Sequence, residues 1–405
     1  MSGPIAGRPR LLAGLGLLYL TQGLPMGLAF EALPALMRQG GHTPATIGFV
    51  GLAILPWALR FLWSPWIDRR TSGRGRVWLA AMQFVTAGLY AAVAAAGHGA
   101  AAGFLALCLV CLASLVSATQ NTVTDAYVVR ALPRDLLGWV NGLQVGGFSL
   151  GMLLGGGLVL VTYGSAGWLA AWLLPAAVAL AAIPLLPRQG EAQRDERERQ
   201  RGIGLVAFLK RPGAAVMLSL AATFYFGRAF VGDMMSVVLV DAGMDIATIG
   251  SLRIASTGAM AAGALVLAGP LFARVEVRRA APVAGLGWAA TLLAWALLQA
   301  GTIAPSAAFV LSVLDGLLGG ITYAGFLTVF MGWASRRQAG TDVTTLMCTE
   351  SLSNIGATML GGIFAGIVEF SVTYQISAML MGGAMCWATF ALHRQRRVEA
   401  SHAEA

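Results

Sequence analysis

Residues 11–37 read LLAGLGLLYLTQGLPMGLAFEALPALM, and Glu31 is the single charged side chain among them. About 20 apolar residues suffice for a helix that crosses a bilayer, so this stretch predicts a transmembrane helix. The whole chain has the same character, because 57% of its 405 residues are hydrophobic and 11% are charged. In soluble proteins, about 45–50% of the residues are hydrophobic and about 25% are charged. The composition excludes an ordinary soluble enzyme and a nucleic-acid binder, and it indicates a helical, multi-pass membrane protein.

Eleven further apolar stretches follow the first, and together they predict twelve transmembrane helices. The spans lie at about 11–37, 44–66, 77–97, 101–129, 137–162, 166–187, 212–240, 246–270, 280–300, 304–332, 342–370 and 372–392. The connections are short except at 188–211, which carries mixed charges and is typical of a solvated linker.

The distribution of Lys and Arg predicts the topology. With the N-terminus placed in the cytoplasm, 23 of the 27 basic residues fall in loops and tails on that side. Cytoplasmic loops of membrane proteins carry such an excess, so both termini are expected in the cytoplasm. The net charge of +9 is therefore a signal of topology and not of nucleic-acid binding.

An internal repeat divides the chain. The sequence ATIG at 45–48 recurs at 247–250, and the same offset carries Glu31 onto Asp233. Together with the linker, this predicts an N-terminal six-helix half at 1–187, a cytoplasmic linker at 188–211 and a C-terminal half at 212–405. Two parallel six-helix repeats are the layout of the major facilitator fold, in which the halves rock around a central site.

The first cytoplasmic loop supports this fold. The sequence FLWSPWIDRR at 61–70 ends a helix in a carboxylate followed by basic residues, and it resembles the loop motif of the major facilitator superfamily. That resemblance implies a gate that latches neighbouring helix ends. The predicted gating residues are Asp68, Arg69, Asp125 and Arg130. For Asp125, which lies about one turn from Arg130, a place in the substrate site is the alternative.

Ionisable residues inside the spans are expensive to insert and are therefore candidates for function. Burial favours the neutral form of a carboxyl group, so proton uptake is feasible for those within spans. The residues predicted to couple protons are Glu31, Asp233 and Asp315. An ion pair between Asp233 and Arg253 with a purely structural role is the alternative for Asp233.

Span 4 is the most polar stretch, and its polar residues share one broad face at helical spacing. Such a face cannot point at lipid. Arg228 cannot release its proton, so an anionic ligand is its natural partner. The residues predicted to bind substrate are Gln22, Arg60, Gln120, Asn121, Tyr127, Tyr225, Arg228, Tyr323 and Glu350.

Other motifs limit the function. Gly147, Gly151 and Gly155 have the spacing of a closely packed helix interface. No proline accompanies them, which disfavours a drug exporter. The sequence has no phosphate-binding loop and no metalloprotease motif, so we expect neither ATP-driven transport nor enzyme activity. No cofactor or metal site is expected.

The first 70 residues carry a more specific resemblance. The segments TQGLPMGL at 21–28, ALPALMR at 32–38 and LPWALRFLWSP at 55–65 resemble one clan of the major facilitator superfamily. This clan contains the AmpG-type muropeptide permeases, the acetyl-coenzyme A transporters and the RhtX/FptX-type siderophore permeases. Its members often have Asp where this chain has Asn121. The chain length and the phrase LPMGLAFEALP at 24–34 are most similar to the siderophore group.

This resemblance implies a secondary active transporter that uses the proton gradient to import a ferric siderophore across a bacterial inner membrane. The expected partners are the siderophore, the lipid bilayer and an outer-membrane siderophore receptor, with no nucleic acid and a monomeric state. Iron would enter only as part of the transported chelate. The alternative is an AmpG-like importer of muropeptides for cell-wall recycling. A third hypothesis is a signalling protein derived from a transporter. The buried charges in both halves disfavour it.

Overall fold

A computed structural model describes residues 9–41, 49–71, 74–97, 100–186, 204–232 and 246–404 of the protein, and nearly all of these are helical. Asp233 and residues 188–203 of the predicted linker lie outside the described residues. Helices are expected here because a bilayer offers no water to backbone amides, so each span must satisfy its own hydrogen bonds.

Two compact units make up the chain. The first comprises Met1–Leu205 and Ala334–Thr345, and the second comprises Val206–Trp333 and Leu346–Ala405. The division into 1–187, 188–211 and 212–405 stays a prediction. A feature that the sequence did not reveal is that the short segment 334–345 groups with the first unit.

In the first unit, eight α-helices are described. They are α1 Pro9–Gly27, α2 Leu33–Gln39, α3 Leu55–Leu59, α4 Ser64–Thr71, α5 Gly75–Ala96, α6 Ala100–Ala131, α7 Leu137–Leu153 and α8 Val159–Ala182. The helix pairs α1/α7, α5/α6 and α5/α8 make the largest contacts. Trp172 is fully buried in the core of this unit, and Trp168 donates a hydrogen bond to the Val93 carbonyl at 2.9 Å.

The helices of the second part of the chain are α9 Leu205–Leu209, α10 Ala214–Thr223, α11 Phe226–Val231, α12 Ile246–Ala262, α13 Gly269–Arg274, α14 Val277–Gln299, α15 Ala308–Trp333, α16 Ala339–Ala365 and α17 Phe370–Glu404. Helix α16 begins in the segment that groups with the first unit and continues in the second. Helix α14 packs against both α15 and α17, and α12 packs against α15.

Many large apolar side chains are exposed, as expected of surfaces that face lipid. Ile367, Met379 and Val77 each expose more than two thirds of their area. Among the described residues, nine helical segments are long and apolar enough to cross a membrane. A tenth is obtained if Phe49–Leu62 and Ser64–Thr71, bent by 66° at their break, form one span.

The predicted count of twelve spans stays a prediction, as does the cytoplasmic placement of the termini. One of the nine segments, Arg134–Leu185, has 52 residues, and at about 1.5 Å per residue it is longer than two bilayer cores. Gly167 interrupts it with a non-helical backbone at φ 79° and ψ −177°. Helix α16 is rich in Thr and Ser and is not among the nine.

Glycines form the seam between α1 and α7. A Cβ atom on Gly151 would collide with the Leu20 carbonyl oxygen, and one on Gly23 would collide with the Phe148 carbonyl oxygen. The small-residue spacing at 147, 151 and 155 therefore does mark close helix packing, and this prediction is confirmed. The backbones approach so closely because neither helix presents a side chain at these positions.

Two π-helical turns determine the position of the Glu31 side chain. Helix α1 continues through Pro25 into a π-helix at Leu28–Ala32, and a second π-helix at Leu154–Leu158 packs against the first. A Cβ on Gly156 would lie on the Glu31 carboxylate, so the absence of a side chain there makes room for that group. Single π turns inside α-helices are frequent at functional sites.

The seam between α1 and α7 gives the first prediction. Gly151→Ala should destabilise the protein by about 1–3 kcal/mol, because the new methyl group overpacks against the Leu20 backbone. Gly88→Ala is the matched control, since a Cβ at Gly88 in α5 meets no atom within 4 Å. Alanine is the better helix former, so this control should be neutral or stabilising. Thermal unfolding of the detergent-purified protein measures the stability of both variants. Equal unfolding midpoints for the two variants would contradict close packing of α1 against α7 at Gly151.

Candidate functional site

The second unit contains a cavity of about 140 Å³. Helices α11, α12, α14 and α15 supply most of its wall. The lining residues are Tyr225, Arg228, Gly232, Arg253, Ser256, Thr257, Met260, Trp288, Asp315, Gly316 and Gly319. The wall therefore combines two arginines, one carboxylate, three hydroxyl groups and two aromatic rings, one of which carries one of these hydroxyl groups.

An ion pair lies in this cavity. The Arg228 Nε and Asp315 Oδ2 atoms are 3.5 Å apart. The other oxygen, Asp315 Oδ1, accepts a hydrogen bond from Trp288 Nε1 at 2.8 Å. Arg228 also donates to the Gly232 carbonyl at 3.0 Å. The second arginine, Arg253, also lines this cavity.

Aromatic rings border the ion pair. The ring of Tyr225 lies 5.5 Å from that of Trp288 and 5.6 Å from that of Tyr323, measured between centroids. Phe224 lies 5.4 Å from Tyr323 and stacks on Phe326 at 4.7 Å. These spacings are those of favourable edge-to-face and stacked pairs. The rings fix one another and leave the Tyr225 and Trp288 faces at the cavity.

Glu350 extends this group. Its Oε1 atom accepts hydrogen bonds from Tyr323 Oη at 3.1 Å and from Asn354 Nδ2 at 2.5 Å, and Oε2 accepts one from Ser351. Tyr323 thus connects the Glu350 carboxylate to the aromatic cluster. The two predicted substrate residues Tyr323 and Glu350 are in direct contact.

A second polar cluster lies in the first unit, between α1 and α6. The Arg60 guanidinium donates to Asn121 Oδ1, and Asn121 Nδ2 donates to Gln22 Oε1 at 2.9 Å. Gln22 Nε2 in turn donates to Thr124 Oγ1 at 3.2 Å. Arg60 also lies over the Trp57 ring, 5.1 Å from its centroid. Three predicted substrate residues therefore form one buried chain of hydrogen bonds.

Asp125 lies next to this chain and is fully buried. Its Oδ1 atom accepts hydrogen bonds from Tyr19 Oη at 3.2 Å and from Gln144 Nε2 at 3.3 Å. The Arg60 guanidinium is close enough to interact with it electrostatically. Asp125 thus belongs to the cluster around Arg60, and its hydrogen-bond partners differ from those of the predicted gate.

The gate residues Asp68 and Arg130 do come together. Arg130 Nη2 lies 2.5 Å from Asp68 Oδ1, and Asp68 is fully buried. The carboxylate also accepts hydrogen bonds from the backbone N–H groups of Gly340 at 3.2 Å and Thr341 at 2.6 Å. These groups belong to the first turn of α16, where unpaired amides and the helix dipole favour a negative charge. We call this arrangement the carboxylate latch.

The latch is reinforced around the segment 334–345. Arg130 Nε donates to the Arg336 carbonyl at 3.0 Å, and the hydroxyl groups of Thr122 and Thr344 are 3.1 Å apart. Asp342 accepts hydrogen bonds from Ser335 N and Gln338 Nε2. Each of these contacts fixes the start of α16.

Comparison with known proteins agrees with this architecture. Residues 12–165 match the protein family described as acetyl-coenzyme A transporter 1. The chain is 29% identical over 369 residues to the anhydromuropeptide permease of Escherichia coli strain K12, which covers 87% of this chain and 73% of that protein. The fold of this chain is similar to the folds of two transporters of known structure.

The first is the human organic anion transporter MFSD10, with a TM-score of 0.71, 19% identity and coverage of 95% of this chain and 99% of that chain. The second is the E. coli fucose:proton symporter FucP, with a TM-score of 0.71, 14% identity and coverage of 94% and 98%. The chain is a membrane transporter of the major facilitator fold. The predicted fold class is confirmed, and so is the prediction that the chain is not an enzyme.

The transporter brings together most of the predicted site residues. Gln22, Arg60 and Asn121 form one cluster, and Arg228, Asp315 and Tyr225 line one cavity. Gln120 donates to Thr21 Oγ1 at 3.5 Å beside the first cluster, whereas Tyr127 is half-buried farther along α6. Glu31 and Arg69 are exposed. The roles of all these residues, including Asp233, stay predictions.

Some residues of the two clusters were missed from the sequence. Gln144 and Trp288 bind the carboxylates of Asp125 and Asp315, and Thr341 binds that of Asp68. Gln144 could have been suspected, because an amide in an otherwise apolar span needs a partner. Trp288 gives no such signal, since a tryptophan in an apolar helix is equally consistent with packing.

The carboxylate latch gives the second prediction. Asp68→Asn should destabilise the transporter by about 3 kcal/mol, because it leaves the largely buried Arg130 side chain without its counter-charge. Asp135→Asn is the matched control, since Asp135 is exposed and lies close to α6 in the chain. Thermal unfolding in detergent measures the difference. Identical midpoints for the two variants would show that the latch contributes no stability.

The ion pair in the cavity gives the third prediction. Arg228→Gln and Asp315→Asn should each lower the unfolding midpoint, and the double variant should recover part of the loss, because no buried charge is then unpaired. The coupling energy should be about 0.5–3 kcal/mol. Arg279→Gln combined with Asp315→Asn is the control and should be additive, since Arg279 contacts Glu276 on the surface. If the stability losses of the single variants also add up in the Arg228→Gln, Asp315→Asn double variant, the ion pair is contradicted.

Proposed function

We propose that the transporter imports solutes of the anhydromuropeptide class across the bacterial inner membrane. Import is driven by the proton gradient, and the transporter acts as a monomer. The observation that carries the proposal is the similarity to the anhydromuropeptide permease over 87% of this chain. This substrate class was the alternative expectation from the sequence, and it takes precedence over siderophore import because the named relative supports it.

The chemistry of the cavity supports the proposal. A muropeptide joins an amino sugar to a short peptide that bears carboxylates. Arg228 and Arg253 offer guanidinium groups to a carboxylate, and charge-assisted hydrogen bonds of this kind are about twice as strong as neutral ones. Ser256 and Thr257 offer hydroxyl groups to amides, and Tyr225 and Trp288 offer ring faces to the apolar side of a sugar.

The size of the cavity specifies which part of the solute it takes. Pockets that enclose a whole ligand usually measure ~300–1,000 Å³, and this one measures about 140 Å³. It therefore accommodates one end of a muropeptide. The two arginine side chains in its wall favour the end that carries the carboxylates.

Siderophore import relies on the same chemistry, because an aryl chelate is also anionic and stacks on aromatic rings. It would require an outer-membrane receptor as a functional partner and would bring iron only as cargo. The two substrates are therefore best separated by direct transport measurements.

Uptake is the fourth prediction. Membrane vesicles from an E. coli strain without its own anhydromuropeptide permease, but containing this transporter, should accumulate a radiolabelled anhydromuropeptide, and an uncoupler should abolish the accumulation. Arg228→Gln should reduce uptake about tenfold or more, as the loss of one charge-assisted hydrogen bond implies. Arg279→Gln, on the surface, should have no effect.

Iron-55 bound to an aryl siderophore serves as the second arm of this experiment. Uptake of the chelate without uptake of the muropeptide would establish siderophore import instead. If neither solute enters the vesicles although the protein is folded in the membrane, both substrate assignments are contradicted.

A further inference from the structure

The buried carboxylates of the protein differ in how they are neutralised. Asp68 and Asp315 each have an arginine within 4 Å. Asp342 uses both oxygens as acceptors, from Ser335 and Gln338. Within the described ranges, Asp125 Oδ2 is the one buried carboxylate oxygen that has no hydrogen-bond partner. Asp125 is therefore the exception among the buried acids.

The groups around Asp125 leave its second oxygen, Oδ2, without a hydrogen bond. Helix α1 brings the Tyr19 hydroxyl, and α7 brings the uncharged amide of Gln144, both to Oδ1. Arg60 faces Asp125 electrostatically, but its guanidinium donates to Asn121 and lies over Trp57. A carboxylate that is buried without a bonded cation carries a large desolvation cost, and binding a proton removes that cost.

We propose that Asp125 is the proton-coupling residue of the transporter and that Oδ2 is the atom that binds the proton. The inference rests on the proposed proton-driven import. A proton from the outer solution forms an O–H bond at Oδ2, and this bond breaks when the proton is released to the cytoplasm. No other bond changes, and nothing is oxidised or reduced. Asp125 thereby replaces Glu31, which is exposed, and Asp315, which is paired with Arg228.

Arg60 connects the proton to the rest of the unit. With Asp125 ionised, the two side chains together carry no net charge, and with Asp125 protonated they carry one positive charge. In a buried site such a change is weakly screened. Arg60 holds Asn121, and Asn121 holds Gln22, so the change acts on the hydrogen bonds that join α6 to α1. Arg60 is thus a positioning residue for Asn121 and Gln22.

The first test uses the full-length transporter in lipid vesicles with a radiolabelled anhydromuropeptide as the probe. Asp125→Asn should abolish accumulation driven by a pH gradient but retain exchange of labelled for unlabelled probe, which needs no net proton movement. Asp125→Glu should restore part of the accumulation, because it keeps a protonatable group. Asp135→Asn, at an exposed position, should behave as the wild type.

The second test needs no substrate. Infrared difference spectra between acid and alkaline buffer should show the carbonyl band of a protonated carboxyl group in the wild type, and this band should be missing in Asp125→Asn. If the muropeptide is not transported at all, this band still decides whether Asp125 binds a proton, so failure of the substrate proposal is recognised separately.

Three results would overturn the inference. Gradient-driven accumulation by Asp125→Asn at the wild-type level would show that another group carries the proton. An infrared band that persists in Asp125→Asn would do the same. Loss of exchange in both Asp125→Asn and Asp125→Glu, with folded protein in the vesicles, would show that Asp125 only maintains the structure.

Discussion

A charge that has lost its water must find its counterpart inside the protein, and the buried side chains of this transporter are arranged around that requirement. An unpaired ion in a membrane is costly, and Asp68 and Asp315 each meet this cost with an arginine and further hydrogen-bond donors. Arg130 and the first turn of α16 serve Asp68, and Arg228 and Trp288 serve Asp315. The helices that carry these partners are thereby fixed relative to one another within their unit.

The carboxylate latch shows how a backbone can act as a counter-charge. The N–H groups of a helix's first turn have no partner within the helix, and together with the helix dipole they attract an anion. Asp68 uses two of these groups in addition to Arg130. This explains why residues 334–345, which are remote in sequence, group with the first unit.

The internal repeat predicted from the sequence pairs positions whose side chains differ in chemistry. The offset that places Glu31 on Asp233 also places Gln22 on Phe224 and Asn121 on Tyr323. Both pairs are contacts: Gln22 and Asn121 share a hydrogen bond of 2.9 Å, whereas the rings of Phe224 and Tyr323 lie 5.4 Å apart. The same helix pairing thus supplies a polar network in the first unit and an aromatic platform in the second. Such a division is consistent with the proposed binding of both a proton and an organic solute.

The sequence by itself determined the membrane class, the major facilitator fold and most members of the two clusters, because apolar length, charge asymmetry and rare buried charges are local properties of the chain. It also determined the seam of Gly147, Gly151 and Gly155, whose spacing is read directly from one helix. Only the tertiary structure decided which charges meet. Asp125 lies about one turn from Arg130 in the sequence, yet its donors come from Tyr19 and Gln144. Partner choice depends on packing between helices that are distant in the chain, and no local pattern encodes it.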